Sequence, residues 1–150
     1  MNTYQIKDHE VPLFPMKYVK SIFHTTRSGI LRKEKNGLLP PASYRDGADR
    51  RIYSIEDLAI MEYVYKEVFP YKQGTTVPQW VKELIADALL QSRKVVLEYG
   101  KSRGPEDWAE LHAKYNQFDK YRVQLYVESW RRRLLDVNKF FPELVEEEDY

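Results

Sequence analysis

Gly37, followed by Leu38-Leu39-Pro40-Pro41, constrains this chain more than any other feature. Proline has no N–H to give a helix ladder, and it pushes the residue before it towards extended geometry. A glycine just ahead of such a run tolerates a left-handed helix stop. A helix approaching residue 37 must therefore end there, with extended chain beyond it. Upstream, Met16, Val19, Ile22 and Phe23 recur at helical spacing with Lys17 and Lys20 between them, until His24-Thr25-Thr26 interrupts the pattern. The expectation is two short helices, about 16–23 and 27–36, joined by a tight turn. On the second, Ile30, Leu31 and Leu38 face inward. Ser28, Arg32 and Lys35, at i, i+4 and i+7, share the opposite stripe.

Downstream, Asp46-Gly47 suits the positive backbone angles of a hairpin turn, which predicts a small hairpin over 42–53. Ser54 with Asp57 three residues on is a capping box, opening a helix that turns Leu58, Met61, Tyr65 and Val68 to one face before Pro70. Gly74 breaks the chain. Thr76 is placed to cap a further helix with Pro78 in its first turn, and Trp80, Leu84, Ile85, Ala88, Val95 and Tyr99 carry its stripe to Gly100. Another helical pattern starts near Pro105, and whether 105–138 is one helix or two is left open by Asn116-Gln117. Its seam runs through Trp108, Leu111, Tyr115, Phe118, Tyr121 and Leu125, then shifts to Tyr126, Trp130, Leu134 and Val137. Such an aromatic seam needs a partner. It is read as an oligomer interface formed by Trp108, Leu111, Tyr115, Phe118, Tyr121, Leu125 and Trp130. Residues 1–15 read as an extended strap, with Leu13 and Phe14 packing on the region from residue 16 onward, and 143–150 as an acidic tail.

The fold class expected is mainly α. A head at 16–89 carries a small β-hairpin wing, and a helical dimerisation or oligomerisation region occupies 90–142. With 150 residues, 43% of them hydrophobic and 14% aromatic, the chain can bury a core but cannot hold two large independent domains. Net charge is only +1, yet its distribution is uneven. Residues 16–53 hold nine Lys/Arg against three acids, whereas 54–150 hold fourteen against eighteen. A basic head on an acidic body suits a polyanion reader with a separate partner surface.

Other functional classes find little support. The absence of cysteine excludes disulfides, thiolate metal sites and a cysteine nucleophile. His9, His24 and His112 lack metal-ligand spacing, and there is no phosphate-cradling glycine loop or hydrolase signature, so neither catalysis, a metal nor a cofactor is expected. No run approaches about 18 apolar residues and the N-terminus lacks a signal-peptide pattern, so a cytoplasmic protein with no membrane partner is expected.

The order helix, turn, basic helix, Gly-Leu-Leu-Pro-Pro, basic hairpin, Arg-Ile-Tyr-Ser and capped helix resembles the DNA-binding head of the MerR family across residues 16–89. The family's run at the end of the second helix is matched by Glu34, Gly37, Leu38, Leu39 and Pro41. Its wing-closing run is matched by Arg51, Tyr53, Ser54, Asp57 and Leu58, and the opening of its fourth helix, with looser spacing, by Gly74, Thr76, Trp80 and Leu84. Leu31 stands where the family usually has an arginine, with Arg32 and Lys33 after it. The resemblance implies a winged helix-turn-helix, double-stranded DNA as partner and a homodimer, with RNA polymerase or another protein as a further partner.

A short basic helix can enter the major groove, where an arginine fork meets the two acceptors of guanine. The candidate DNA-binding residues are Lys17, Lys20, Thr26, Arg27, Ser28, Arg32, Lys33, Lys35, Arg45, Arg50, Arg51 and Tyr53, with Arg32 first for base reading. Lys17, Lys20 and the hairpin arginines suit phosphates, and the resemblance implies a phosphate for the Tyr53 hydroxyl. The leading functional expectation is a sequence-specific transcription regulator. A phage terminase small subunit or excisionase-like architectural protein is the competing reading, and a protein-binding adaptor with a winged head is a third.

Overall fold

The computed structural model describes residues 3–6, 9–99 and 118–144. The described chain is mainly helical with two small antiparallel sheets. In order, the elements are β1 (Thr3–Ile6), β2 (His9–Pro12), β3 (Phe14–Pro15), α1 (Met16–Phe23), α2 (Arg27–Lys35), β4 (Tyr44–Arg45), β5 (Arg51–Tyr53), α3 (Ile55–Tyr63), α4 (Gln79–Tyr99), α5 (Lys120–Leu135) and α6 (Val137–Phe140). A π-helical turn, Val64–Val68, extends α3, and a 3-10 turn, Pro142–Leu144, comes after α6.

The centre of the molecule is α3. Its start is fixed locally: Ser54 accepts from the Asp57 N–H while Asp57 accepts from the Ser54 N–H, the reciprocal pair its sequence announces. Replacing a cap of this kind typically costs about 1 kcal/mol. Burial pushes the Asp57 carboxyl up to about 7, and its Oδ1 has no hydrogen-bond partner among the described residues. At neutral pH the cap therefore works through hydrogen-bond geometry more than as a full negative charge at the helix start. Beyond the cap, Leu58, Ala59, Ile60, Met61, Tyr63, Val64 and Tyr65 are all buried. A helix with apolar residues on several sides must be covered on each of them, and α1, α4 and α5 pack against it, with its buried Glu62 paired to Arg133. The same core takes Met16 and Val19 of α1, Ile30 of α2, Val81, Ile85, Ala88 and Leu89 of α4, and Val123, Val127, Trp130 and Leu134 of α5.

The packing of α5 corrects the expectation of a separate assembly region. Trp130 is fully buried, stacked on Phe141 at 5.6 Å, with the Arg133 guanidinium 4.1 Å above its ring; Arg133 also donates to Glu62 of α3 (2.9 Å). Phe118 is buried against Tyr63. Both residues are thus core of this chain and not an interface between chains. Tyr121 and Leu125 face outward instead, and Trp108, Leu111 and Tyr115 lie outside the described residues. Asp119 starts α5 as its N-cap, in extended conformation, with its carboxylate accepting from the Tyr121 and Arg122 N–H groups. One continuous helix through 105–138 is therefore ruled out.

Smaller corrections have equally local causes. The N-terminal segment is not a bare strap: β1 and β2 form a hairpin, with Tyr4 opposite Val11. Val11 and Leu13 then join Tyr44, Ile52 and Val96 in a second, smaller core. Phe14 and Pro15 pair with Tyr53 and Ile52, which makes a three-stranded sheet in the order β3-β5-β4. In the β4–β5 loop the positive φ falls on Asp49 (61°), not on Gly47. At the start of α4, the Pro78 carbonyl accepts from Val81 and Lys82, so Pro78 and not Thr76 stands at the boundary. The buried stripe of α4 runs through Val81, which leaves Trp80 half exposed with its edge against Phe69. No helix among the described residues is long and apolar enough to cross a membrane.

Candidate nucleic-acid interface

The pair α1–α2 is held by core contacts of α1 and by local features of turn and caps. Met16, Tyr18 and Val19 anchor α1 in the core, and the helix ends where His24 turns left-handed (φ 50°, ψ 50°). Thr26 then caps α2, its hydroxyl accepting from the Gly29 N–H at 3.2 Å. A Cβ on Gly29 would lie 2.0 Å from Thr25 Oγ1, so the closeness of turn and helix depends on glycine at that position. At the far end Gly37 takes φ 78°, Leu38 and Leu39 donate back to the Lys33 carbonyl, and the Tyr65 hydroxyl donates to the Leu38 carbonyl. This is the stop expected from the glycine and the prolines behind it.

Between these ends α2 buries Ile30 and shows Arg27, Ser28, Arg32 and Lys35 to solvent. Neither Arg32 nor Lys35 forms an ion pair among the described residues. Ser28, Arg32 and Lys35 lie on one stripe, as their spacing requires.

Several of the other cations expected at this surface are used elsewhere. Lys33 is buried, its Nζ 5.5 Å from the Phe23 ring centre and 5.0 Å from that of Tyr71, within the range of cation–π attraction. Lys17 is buried too, its Nζ 5.8 Å from the Tyr18 ring. Arg51 closes a two-toothed bond to Glu34, Nε to Oε1 and Nη2 to Oε2, both 2.8 Å. That pair ties the end of α2 to β5, and its hydrogen bonds hold the guanidinium protonated even more firmly than usual. Tyr53 is buried on β5, and burial first, then the nearby Glu34 charge, push its hydroxyl up. Lys17, Lys33, Arg51 and Tyr53 are therefore structural here, because each has a ring, a carboxylate or the core to satisfy it.

The β4–β5 tip neutralises itself. Asp46 accepts from the backbone of Ala48 (2.9 Å) and Arg50 (2.8 Å) and from Arg50 Nε (2.9 Å). The Arg50 backbone bond, above all, holds its carboxyl below the usual carboxylate range. Arg45 donates to the Asp49 carbonyl at 3.1 Å, with the Asp49 carboxylate 3.9 Å away. All three acids of 16–53 are thus engaged by hairpin arginines. On the helix pair, Arg32 and Lys35 stand exposed without an ion pair among the described residues, with Arg27 exposed and Lys20 half-buried beside them. Glu34 and Asp46 are organisers that the sequence pattern alone does not bring forward. For Asp46 the i, i+4 spacing to Arg50 is the available sign; for Glu34, seventeen residues from Arg51, there is none.

No family model, curated protein or solved structure matches the chain.

Proposed function

We propose that this chain is a sequence-specific DNA-binding protein of the winged helix-turn-helix kind, acting as a MerR-like transcription regulator in paired copies. In this reading α2 is the recognition helix and β4–β5 the wing. The observation that carries it is the stripe Ser28, Arg32 and Lys35 on a short helix capped at both ends and fixed to α1 by a tight turn. An arginine presented this way can form the paired bonds that distinguish guanine in the major groove, and Lys20, Arg27 and Lys35 beside it suit phosphates. The hairpin arginines, already paired, contribute orientation more than charge.

Two measurements on the full chain test this. Selection from a random duplex pool at near-physiological salt is expected to enrich one motif, relaxed at defined positions by Arg32→Ala. A salt titration is expected to give a slope reflecting roughly three neutralised phosphates per chain, about −0.9 for each. Binding without an enriched motif would favour the architectural role, and no binding even at low salt would end the DNA reading.

A further inference from the structure

Between the π-helical turn that extends α3 and the first turns of α4 lies a groove of about 580 Å3 that the DNA reading does not use. Its floor is apolar and fixed. Tyr63 and Phe118 meet at 5.0 Å between ring centres, and the Tyr63 hydroxyl accepts from the Asp119 N–H at 3.1 Å, with Val68 and Leu84 half-buried beside them. Trp80 forms one wall. It packs against Phe69 at 6.4 Å between ring centres and stays 55% exposed. Glu83 and Asp87, both exposed, stand on the α4 rim about one and two turns beyond it.

Charge and shape say what this groove suits. Asp87 makes no hydrogen bond or ion pair among the described residues, and Glu83 accepts only from the neutral Gln79 amide, at 3.5 Å. Two carboxylates four residues apart repel one another along a helix, so a cation between them relieves a strain, while a phosphate is turned away. The half-exposed indole beside them attracts cations as well. Arginine meets both demands, because its planar guanidinium stacks on an aromatic ring and forks onto carboxylates. The core of the chain already contains that arrangement: Arg133 sits 4.1 Å over Trp130 and donates to Glu62 at 2.9 Å. The groove is also open along α4, whereas small-molecule sites enclose about 70–90% of their ligand. An open groove suits a side chain that arrives on a chain of its own. We infer that it docks an arginine-bearing segment of a partner protein, the guanidinium between Trp80 and the Glu83–Asp87 pair and a neighbouring apolar side chain over Val68 and Leu84. None of these residues belongs to the surface proposed for DNA, so the inference goes beyond that reading and does not rest on it.

The experiment is selection of short random peptides displayed on phage against the immobilised full chain, followed by calorimetric titration of one synthetic peptide from the enriched set. Enriched peptides are expected to share an arginine beside an apolar residue and to bind in the micromolar range, as a small interface does. Trp80→Ala and Glu83→Gln/Asp87→Asn should each weaken that binding at least about tenfold. Circular dichroism should be unchanged in both, since all three side chains are exposed. Lysine in place of the peptide arginine should weaken binding, and citrulline, which keeps the shape without the charge, should abolish it. A selection with no shared arginine, or a peptide indifferent to these changes, would overturn the inference. So would tighter binding of a small aromatic cation, proflavine, than of the peptide, or self-association of the chain that Trp80→Ala dissolves, because the occupant would then be a small molecule or a second copy. DNA is absent from every arm, so failure here leaves the reading of α2 untouched.

Discussion

The helix pair α1–α2 and the β4–β5 hairpin are both rich in cations, and the two regions put them to opposite use. On the hairpin, Arg45, Arg50 and Arg51 each find an acid, at Asp49, Asp46 and Glu34. On α2, Arg32 and Lys35 project from a helix whose one acid, Glu34, is already engaged by Arg51. Local net charge counts both regions alike, but charge already satisfied within the chain has little to offer a ligand. Exposure alone does not separate them either, since Arg50 and Arg32 are both exposed. What separates them is whether a carboxylate is within reach.

Removing one member of each group puts this contrast at risk. The largest effect is expected from Arg51→Met, which leaves the largely buried Glu34 carboxylate without its partner. A loss of about 2–3 kcal/mol in unfolding free energy, read by denaturant titration, is expected from breaking charge-assisted bonds of this kind. A neutral result would mean that the hairpin pairs are ornamental and the contrast empty. Arg32→Ala should come next and act on a different quantity. It should cost roughly tenfold in affinity for the selected duplex, about 1.4 kcal/mol, while changing stability by no more than about 0.5 kcal/mol, as for an exposed residue. The smallest effect is expected from Arg45→Ala/Arg50→Ala, a loss of less than about threefold and uniform across sequences. Should the hairpin change prove larger than the Arg32 change, the roles would be reversed and the tip would be the main phosphate contact.

What can be read from the sequence depends on the range of the interactions involved. The Ser54 and Asp57 cap and the Gly37 stop are settled within a few residues, and the chain announces both. Ile30 inward with Ser28, Arg32 and Lys35 outward comes from helix period alone. Lys33 escapes such reading because its ring partners, Phe23 and Tyr71, come from a preceding helix and a distant loop that meet only in the fold. Arg51 and Tyr53 belong to the same class. Trp130 shows a different limit. A one-sided aromatic stripe looks the same whether its cover is a second chain or another helix of its own, and only the arrival of α3 against it decides. Trp80 shares a helical stripe with Leu84, but Val81 next to it takes the buried position.

The docking of α5 on α3 also has a consequence for how the molecule is made. Arg133 reaches Glu62 across 71 positions, and the Asp119 N–H reaches the Tyr63 hydroxyl across 56. The turn and caps of α1 and α2 are local, but helices of eight and nine residues are marginal by themselves and need the core contacts of Met16, Val19 and Ile30 to persist. The central helix cannot be covered until residues 118–144 have left the ribosome, and contacts of such sequence separation are the slow ones to close. A chain cut at residue 89 would therefore keep the surface residues proposed to meet DNA while leaving one flank of its core open to water, and the nascent chain faces that same exposure for the time needed to complete its last third.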